Sequence, residues 1–553
     1  MYDVCIVGSG AGAGPVALEL SKAGFKVLIL EKGPWYKRGD FFKDEIAACR
    51  RSTFTPRLDL EQHVIEQKIG KKWVATPTLE SGWDFWNGSM VGGSSNVMSG
   101  YFHRMKPKDF KLLSSYGPIK GANIVDWPVD YEDMEPYYAK VESVVGVSGK
   151  VVKHPFLEPR STSDFPYPAT TEHAISRWFD QACAKERLFS IPTPRAVLPF
   201  TVGERKGCEY SGFCGSYGCA SGAKGSSREA LLNKALETGN LTIMAECFVK
   251  RLISKDKKVT KAEYVDKNHI THAVEAKIFV VAAQAIESAR LLLNSKSKTF
   301  SKGLANNSGQ VGKNLIFSAG GSGQGTFEYE TLSDEKKDAL KQVGPFVNRS
   351  LQDWYEVDME GRTLKGGTVD FLFEHPNAVA RAKRVLNEEL VWGDALKKKL
   401  LKRFKDERTF IFEIFNDWLP TDDTFVDIDP KVVDVWGMPV AKIRLDPHQH
   451  SRKVGEKIAT QCKKLLKRMG AKYISSSISD APPQNLVAGG CRFGDDPKYS
   501  VLDKNCKAHE LDNLYVCDGS FMPTGGSVPY TWTIYANAFR VADEMIKMLK
   551  KDA

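Results

Sequence analysis

Met1–Lys32 reads MYDVCIVGSGAGAGPVALELSKAGFKVLILEK, and the order of its elements decides the fold. Val4, Cys5, Ile6 and Val7 form a short apolar run that stops at a glycine cluster. A helical pattern follows, with Val16, Leu18, Leu20 and Ala23 apolar, and ends at Gly24. A second apolar run, Val27–Leu30, then delivers the acidic Glu31. Strand, tight turn, helix and strand in this order make a βαβ unit. Its turn carries Gly8-x-Gly10-x-x-Ala13, the G-x-G-x-x-G/A dinucleotide fingerprint. Gly8 permits the sharp turn, Gly10 lets a pyrophosphate approach the backbone, and Ala13 lets helix and strand pack closely. The helix N-terminus offers free N–H groups to phosphates, and Glu31 can accept hydrogen bonds from an adenosine ribose. A purely structural turn is the alternative for the glycines taken alone.

The whole chain is long enough for more than one core. It has 553 residues, and single cores rarely grow past ~250–300. With 42% hydrophobic and 26% charged residues it is composed like an ordinary globular enzyme. A net charge of +10 is scattered, and the Lys-rich 397–405 (KKKLLKRFK) reads as a solvated helix face, so no nucleic-acid partner is expected. No run reaches the ~18 apolar residues of a membrane span. The fingerprint strand begins at Tyr2, which leaves no room for a signal peptide.

A second glycine-rich passage, Gly82–Asn96 (GWDFWNGSMVGGSSN), offers Gly92 and Gly93 for close approach of a flat ring. Ser94, Ser95 and Asn96 could bond that ring's polar edge; a plain surface loop is the alternative. Helical patterns follow at 131–145 and 172–186. Cys208, Cys214 and Cys219 then lie in CEYSGFCGSYGCASGAKGSS, spaced C-x5-C-x4-C with glycines between. Zinc fits this spacing poorly, and a disulfide leaves one thiol over. Three thiolates suit a three-iron cluster better than a four-iron one; ordinary loop cysteines are the alternative. The other eight of the eleven cysteines are dispersed and read as small buried hydrophobes. Strand-like runs at 241–253 and 275–283 and a helix at Ala285–Leu293 lead to Gly309–Leu315, another tight turn. Residues 320–480 mix strands (Thr409–Phe415, Phe425–Ile428, Ala441–Leu445) with helices at 377–405 and 449–469. Near the end, Leu514–Ser520 reads as a buried strand delivering Asp518 and Gly519, and a helix begins near Thr533.

GSGAGAGPVALELSKAG, SMVGGSSN, VVAAQAIESARLLL, NNSGQVGKNL, SVLDKNCKAHELDNLYVCDGSFMPTGG and TIYANAFRVAD together resemble the glucose–methanol–choline (GMC) oxidoreductases. The motifs stand in family order from residue 3 to residue 543. The cysteine loop resembles that of the iron–sulfur-containing FAD sugar and polyol dehydrogenases. The resemblance implies an α/β fold with a Rossmann-like FAD-binding domain (1–105, 203–317 and 483–553) and an inserted mixed α+β substrate domain (106–202 and 318–482). It implies FAD contacts at Gly8, Gly10, Ala13, Glu31, Gly92, Gly93, Ser94, Asn96, Val249, Asp518 and Gly519. It also implies a [3Fe-4S] cluster on Cys208, Cys214 and Cys219. The expected reaction is oxidation of a CH–OH group, of a sugar or glycoside, with electrons passed to a cytochrome or other protein acceptor. A small companion subunit carrying an export signal would place the enzyme in the periplasm or at a membrane; cytoplasmic residence is the alternative. Two other readings keep the cofactors: a CH–CH desaturase, and a non-catalytic electron-transfer subunit.

The chain departs from the family at the reacting centre. The family's catalytic histidine position is Leu486, in NLVAGGCRFG, and its partner position is Val528, in SVPYTWTI. His509 reads as structural, and Gln284 stands where family members usually carry glycine. A base must lie within hydrogen-bond reach of the hydroxyl it deprotonates. Tyr530 and Asn485 are taken as the catalytic candidates, with Gln484 and Asn537 as further polar neighbours. A phenol lowered by nearby positive dipoles would let Tyr530 act as base; packing at the start of the last helix is the alternative.

Overall fold

The computed structural model describes residues 2–46, 54–83, 88–342, 344, 347–374, 376–388, 390–478 and 486–551. Tyr2–Val7, helix Ala13–Lys22 and Val27–Leu30 form the expected βαβ unit. Five parallel strands build on it in the order Leu241–Met244, Val27–Leu30, Tyr2–Val7, Thr271–Val281, Leu514–Val516. Thr271–Val281 belongs to two environments, and its sequence THAVEAKIFVV records both. Its first half alternates half-buried and exposed side chains while pairing antiparallel with Lys258–Val265. Its second half is apolar and wholly buried between two parallel neighbours, as a strand covered on both faces requires. Helix Thr531–Lys551 packs on the fingerprint helix and on helix Tyr131–Val141.

A second, antiparallel sheet runs in the order Lys472–Ile478, Leu315–Glu328, Glu407–Asp417, Gly367–Phe373, Val347–Leu351, Ile191–Pro192. Helix Gln449–Arg468 covers it with Val454, Ile458, Cys462, Leu465 and Leu466, the buried i, i+4, i+8 face of an otherwise polar helix. Leu315–Glu328 reaches back to pair with Val487–Gly489, so one strand ties this sheet to the cofactor side. A third sheet pairs Phe425–Val433 and Pro439–Leu445 with Val64–Ile69 and Lys72–Pro77. It joins residues expected in the substrate domain to residues expected in the FAD-binding domain. The single helix read over 377–405 is two, Ala378–Glu388 and Gly393–Leu401. No helix among the described residues is long and apolar enough to cross a membrane.

Candidate active site

All five parallel strands end at one cavity of about 890 Å³, in the upper range of small-molecule pockets, roughly 300–1,000 Å³. It opens where ligands bind in parallel α/β sheets, beyond the carboxyl ends of the strands. Gly8, at φ +90°, turns the chain there, and a Cβ on it would stand 2.5 Å from the Ala282 carbonyl oxygen. A Cβ on Gly10 would meet no protein atom within 4 Å, so its open face belongs to the cavity. Close helix–strand packing falls to Gly12, whose Cβ would come within 2.4 Å of the Cys517 carbonyl oxygen; Ala13 beside it is fully buried. A glycine-lined gap at a helix N-terminus, beneath open space, is the cradle a pyrophosphate requires.

Glu31 lines the cavity, but both its oxygens are already engaged. Oε2 accepts from Ser9 N–H (3.0 Å) and Ser9 Oγ (2.6 Å), and Oε1 accepts from Gly33 N–H (2.8 Å). Burial pushes its carboxyl upward against those bonds. A carboxylate oxygen has a second lone pair, so a ribose contact is compatible with this role. Ser9 Oγ also accepts from Gly92 N–H at 2.8 Å, which fastens the second glycine-rich passage over the first. Gly93 and Ser94 line the cavity, as do Val249, Asp518 and Gly519. Ala13, Gly92 and Asn96 are absent from that wall. Asn96 spends its amide on the carbonyls of Val91 (2.9 Å) and Gly93 (3.1 Å), shaping the turn rather than meeting a ligand. Asp518 accepts from Gln284 N–H (3.0 Å), Ser288 Oγ, Ser520 N–H (2.8 Å) and Ser520 Oγ, clamping helix Ala285–Asn294 to strand Leu514–Val516.

At the reacting centre Leu486 lines the cavity, whereas Val528 is fully buried behind it. Tyr530 turns its ring to the cavity, but its hydroxyl is buried with no hydrogen-bond partner. A Cβ on Gly525 would lie 2.5 Å from that hydroxyl and 3.0 Å from Asp417 Oδ1, so both side chains converge there. Burial first, and the Asp417 carboxylate second, push the Tyr530 phenol well above its ordinary value. That is opposite to the lowering a base needs, and it corrects the expectation for Tyr530. Asn485 and Gln484 lie outside the described residues. Asn537 is fully buried and donates to Cys506 Sγ at 3.2 Å, away from the cavity.

The cysteine loop packs on the passage that covers the cavity. Ser216 N–H donates to Val97 O (2.8 Å), and Gly215, Ser216 and Tyr217 line the cavity. Arg195 and Lys224, both buried, sit among the three thiols. Lys224 Nζ donates only to the carbonyls of Asn96 (3.2 Å), Cys214 (3.0 Å) and Tyr217 (2.9 Å). Arg195 donates Nη2 to Ser99 O (2.7 Å), while its Nε and Nη1 have no partner. No carboxylate among the described residues pairs with either cation. Burial raises the Cys208 thiol; at Cys219 the Lys224 ammonium and the Ser221 hydroxyl overcome burial and lower it. Among the described residues no three such ligands close on a single metal ion.

Sequence reasoning missed both ends of the cavity. One end holds Lys32, Glu287 and Arg290, with Glu287 2.9 Å from His63 and held well below the ordinary range; against the upward push of burial, Arg290 is the chief cause. The other end holds Tyr101, Glu413 and Phe415. The available signal was a lone glutamate inside the apolar strand FIFEIF.

The GMC oxidoreductase model matches residues 74–318 with its N-terminal part and 420–538 with its C-terminal part. The chain is 27% identical to 2-methyl-1,2-propanediol dehydrogenase of Mycolicibacterium austroafricanum, over 98% of this chain and 94% of that one. It is 28% identical to paromamine 6'-oxidase of Streptomyces fradiae (98% and 91%). It is 24% identical to the fructose dehydrogenase large subunit of Gluconobacter japonicus (99% and 98%). Its fold superposes on Aspergillus oryzae formate oxidase with a TM-score of 0.66, covering 100% of this chain and 99% of that one at 16% identity. The chain belongs to the GMC oxidoreductase family, and FAD is the dinucleotide that its cleft takes.

Proposed function

We propose that the chain is an FAD-dependent dehydrogenase that oxidises a CH–OH group of a small polyhydroxylated molecule, such as a sugar or glycoside, and gives its electrons to a protein partner. The observation that carries this reading is the single cavity joining the fingerprint turn to the antiparallel sheet. Bound in this cleft, FAD would supply a hydride acceptor for the carbinol carbon. Gly8, Gly10 and Gly93 leave room for its pyrophosphate and ring, and Ser94 offers a hydroxyl near them. Leu486, Trp418 and the Tyr530 ring wall the reacting level with apolar surface and exclude water from it. Among the described residues no group at that level is suited to take the hydroxyl proton. This favours, as a second reading, a substrate that needs no such deprotonation, as in CH–CH desaturation.

Cys208, Cys214 and Cys219 would hold a three-iron cluster, whose chemistry is one-electron transfer. The support is chemical. Arg195 and Lys224 place two buried positive charges without carboxylates beside three sulfurs, and a buried charge needs a counter-charge. An anionic cluster supplies one. The electron acceptor is proposed to be a cytochrome or similar protein, and a small companion subunit is proposed to carry the chain out of the cytoplasm.

The test is flavin and iron analysis of protein purified without oxygen, followed by anaerobic bleaching of the flavin with a panel of sugars and diols. Yellow protein with cluster iron, an EPR signal when oxidised, and bleaching by at least one CH–OH donor are expected. Zinc or no metal on the cysteines would remove the cluster; no bleaching by any alcohol would favour the second reading. Co-expression with neighbouring genes should move the protein to the periplasmic or membrane fraction, and purely cytosolic recovery would remove the companion.

A further inference from the structure

The far end of the cavity carries a carboxylate, Glu413, that has no ion-pair partner among the described residues. Glu413 Oε2 accepts from the Tyr101 hydroxyl at 2.6 Å, and Glu413 faces the cavity. Among the described residues no Lys, Arg or His reaches it as an ion pair. The groups around it have other partners. Asp370 is engaged by His103 Nε2 (3.2 Å to each oxygen) and by Thr193. Arg384, from helix Ala378–Glu388, also lines the cavity; its guanidinium is half exposed and 3.6 Å from Glu374, and its charge favours the ionised Glu413 without making an ion pair with it and less than burial opposes it. Beside Glu413 the rings of Tyr101 and Phe415, 5.4 Å apart and inclined at 57°, form an aromatic wall.

The strand register measures how far this end lies from the chemistry. Ser318 N–H donates to Leu486 O at 3.1 Å, so Ser318 marks the reacting level. Ser318 pairs with Asp417 and Ser322 pairs with Glu413. Four strand residues, at ~3.4 Å each, put Glu413 about 13 Å farther along the sheet. Glu413 is thus too distant to take a proton at the Leu486 level.

We propose that this end is an ammonium subsite, in which Glu413, steadied by Tyr101, takes the protonated amine of an amino alcohol or amino sugar whose carbinol carbon lies at the Leu486 level. The proposal rests on the CH–OH reading only for the placement of that carbon. An unpaired carboxylate in a cavity is costly, an aromatic wall attracts a cation, and a compact ammonium satisfies both. Burial, chiefly, holds the empty Glu413 carboxyl above its usual range; a cation beside it restores the ionised form.

The test uses the FAD-loaded protein and two neutral-to-cationic matched probes, the chitosan disaccharide and its N,N′-diacetyl form. Perturbation of the flavin spectrum under anaerobic conditions reports binding without turnover. The disaccharide amine is expected to bind at least ten-fold more tightly than the acetylated form, and the advantage is expected to shrink at high salt. In Glu413→Gln the ratio of the two dissociation constants should collapse toward one. Equal binding of the two probes by the parent, or a ratio that survives in Glu413→Gln, overturns the subsite. Should that variant fail to take up FAD, Tyr101→Phe decides: it frees the carboxylate from its only described anchor and should reduce the ratio several-fold, and an undiminished ratio overturns the proposal. A cation preference without bleaching by any alcohol would retire the dehydrogenase reading and leave the subsite standing. Bleaching by neutral sugars without a cation preference would do the reverse.

Discussion

Gln284 occupies a backbone conformation that belongs to glycine, and the consequence is measurable. Its φ of 84° and ψ of 148° place it in a region that residues with a Cβ enter at a cost of about 1–3 kcal/mol. The side chain recovers part of this. Its Oε1 accepts from Ile286 N–H (2.9 Å) and Glu287 N–H (3.4 Å) and caps helix Ala285–Asn294, a contribution of about 1 kcal/mol. Two substitutions separate the terms. Gln284→Ala keeps the Cβ and its strain but removes the cap, and should destabilise by about 1 kcal/mol. Gln284→Gly removes cap and strain together, and adds about 0.5–1 kcal/mol of unfolded-chain entropy. Its net effect should therefore be near zero, and it should be more stable than the alanine variant by about 0.5–2 kcal/mol. On ordinary backbone the order is the reverse, so the sign alone is diagnostic. Urea unfolding at saturating FAD, followed by tryptophan fluorescence, gives the comparison. An alanine variant at least as stable as the glycine variant would refute the strain and the reasoning built on it.

Gly10→Val should fold with parental secondary structure yet purify colourless, because its side chain enters only the cavity; Gly12→Ala should lose stability instead, since its Cβ lies 2.4 Å from the Cys517 carbonyl oxygen. Circular dichroism and flavin absorbance of the two variants test the contrast. His154 is lowered to about 4, chiefly by burial and then by Lys106. A histidine whose folded value is depressed contributes stability that is complete above its unfolded value of ~6.5 and is lost as pH falls toward 4. Thermal midpoints should decline across that window, and less so in His154→Gln; parallel curves would exclude His154 as a source. Tyr530→Phe should keep its reductive rate within a few-fold of the parent, because general-base work would cost about 10²–10⁴-fold and the buried hydroxyl is pushed the wrong way for it.

The parts of the fold that were legible were those written in local periodicity. The βαβ unit, the helix over 449–469 and the strand-like run over 275–283 all follow from burial imposed on neighbouring residues. The third sheet was not legible, because it pairs Val64–Ile69 with Pro439–Leu445 across nearly four hundred residues, and no local pattern encodes a partner that distant. The fingerprint identified the cradle but gave the close-packing role to Ala13 alone, whereas Gly12 meets the Cys517 strand; only the approach of a third segment could reveal this. The amide of Asn96 serves its own turn, because a polar residue in a tight turn is as readily used by nearby carbonyls as by a ligand. Glu413 acquires its role only from register, strand face and the arrival of Tyr101, all set by tertiary structure.

The distribution of charge around the cavity bears on how the reaction could proceed with Leu486 and Val528 at its centre. The acids nearest that centre are already engaged. Asp417 and Asp109 are bound to Lys365 at 3.0 and 2.8 Å, Tyr355 donates to Asp109 at 2.6 Å and to Gly526 O at 2.6 Å, and Ser527 N–H donates to Asp417 at 3.2 Å. This buried network fixes the 525–530 turn and so the Tyr530 ring, but every member is spent on its neighbours. Glu413 is a cavity carboxylate without an ion-pair partner among the described residues, some four strand residues away. Binding energy gained there cannot act on the proton, yet it can hold the carbinol carbon against the flavin, since remote contacts are convertible into orientation at the reacting bond. If that is the division of labour, truncating the substrate's amine should lower kcat as well as raise KM. An amine that served affinity alone would change KM and leave kcat where it was.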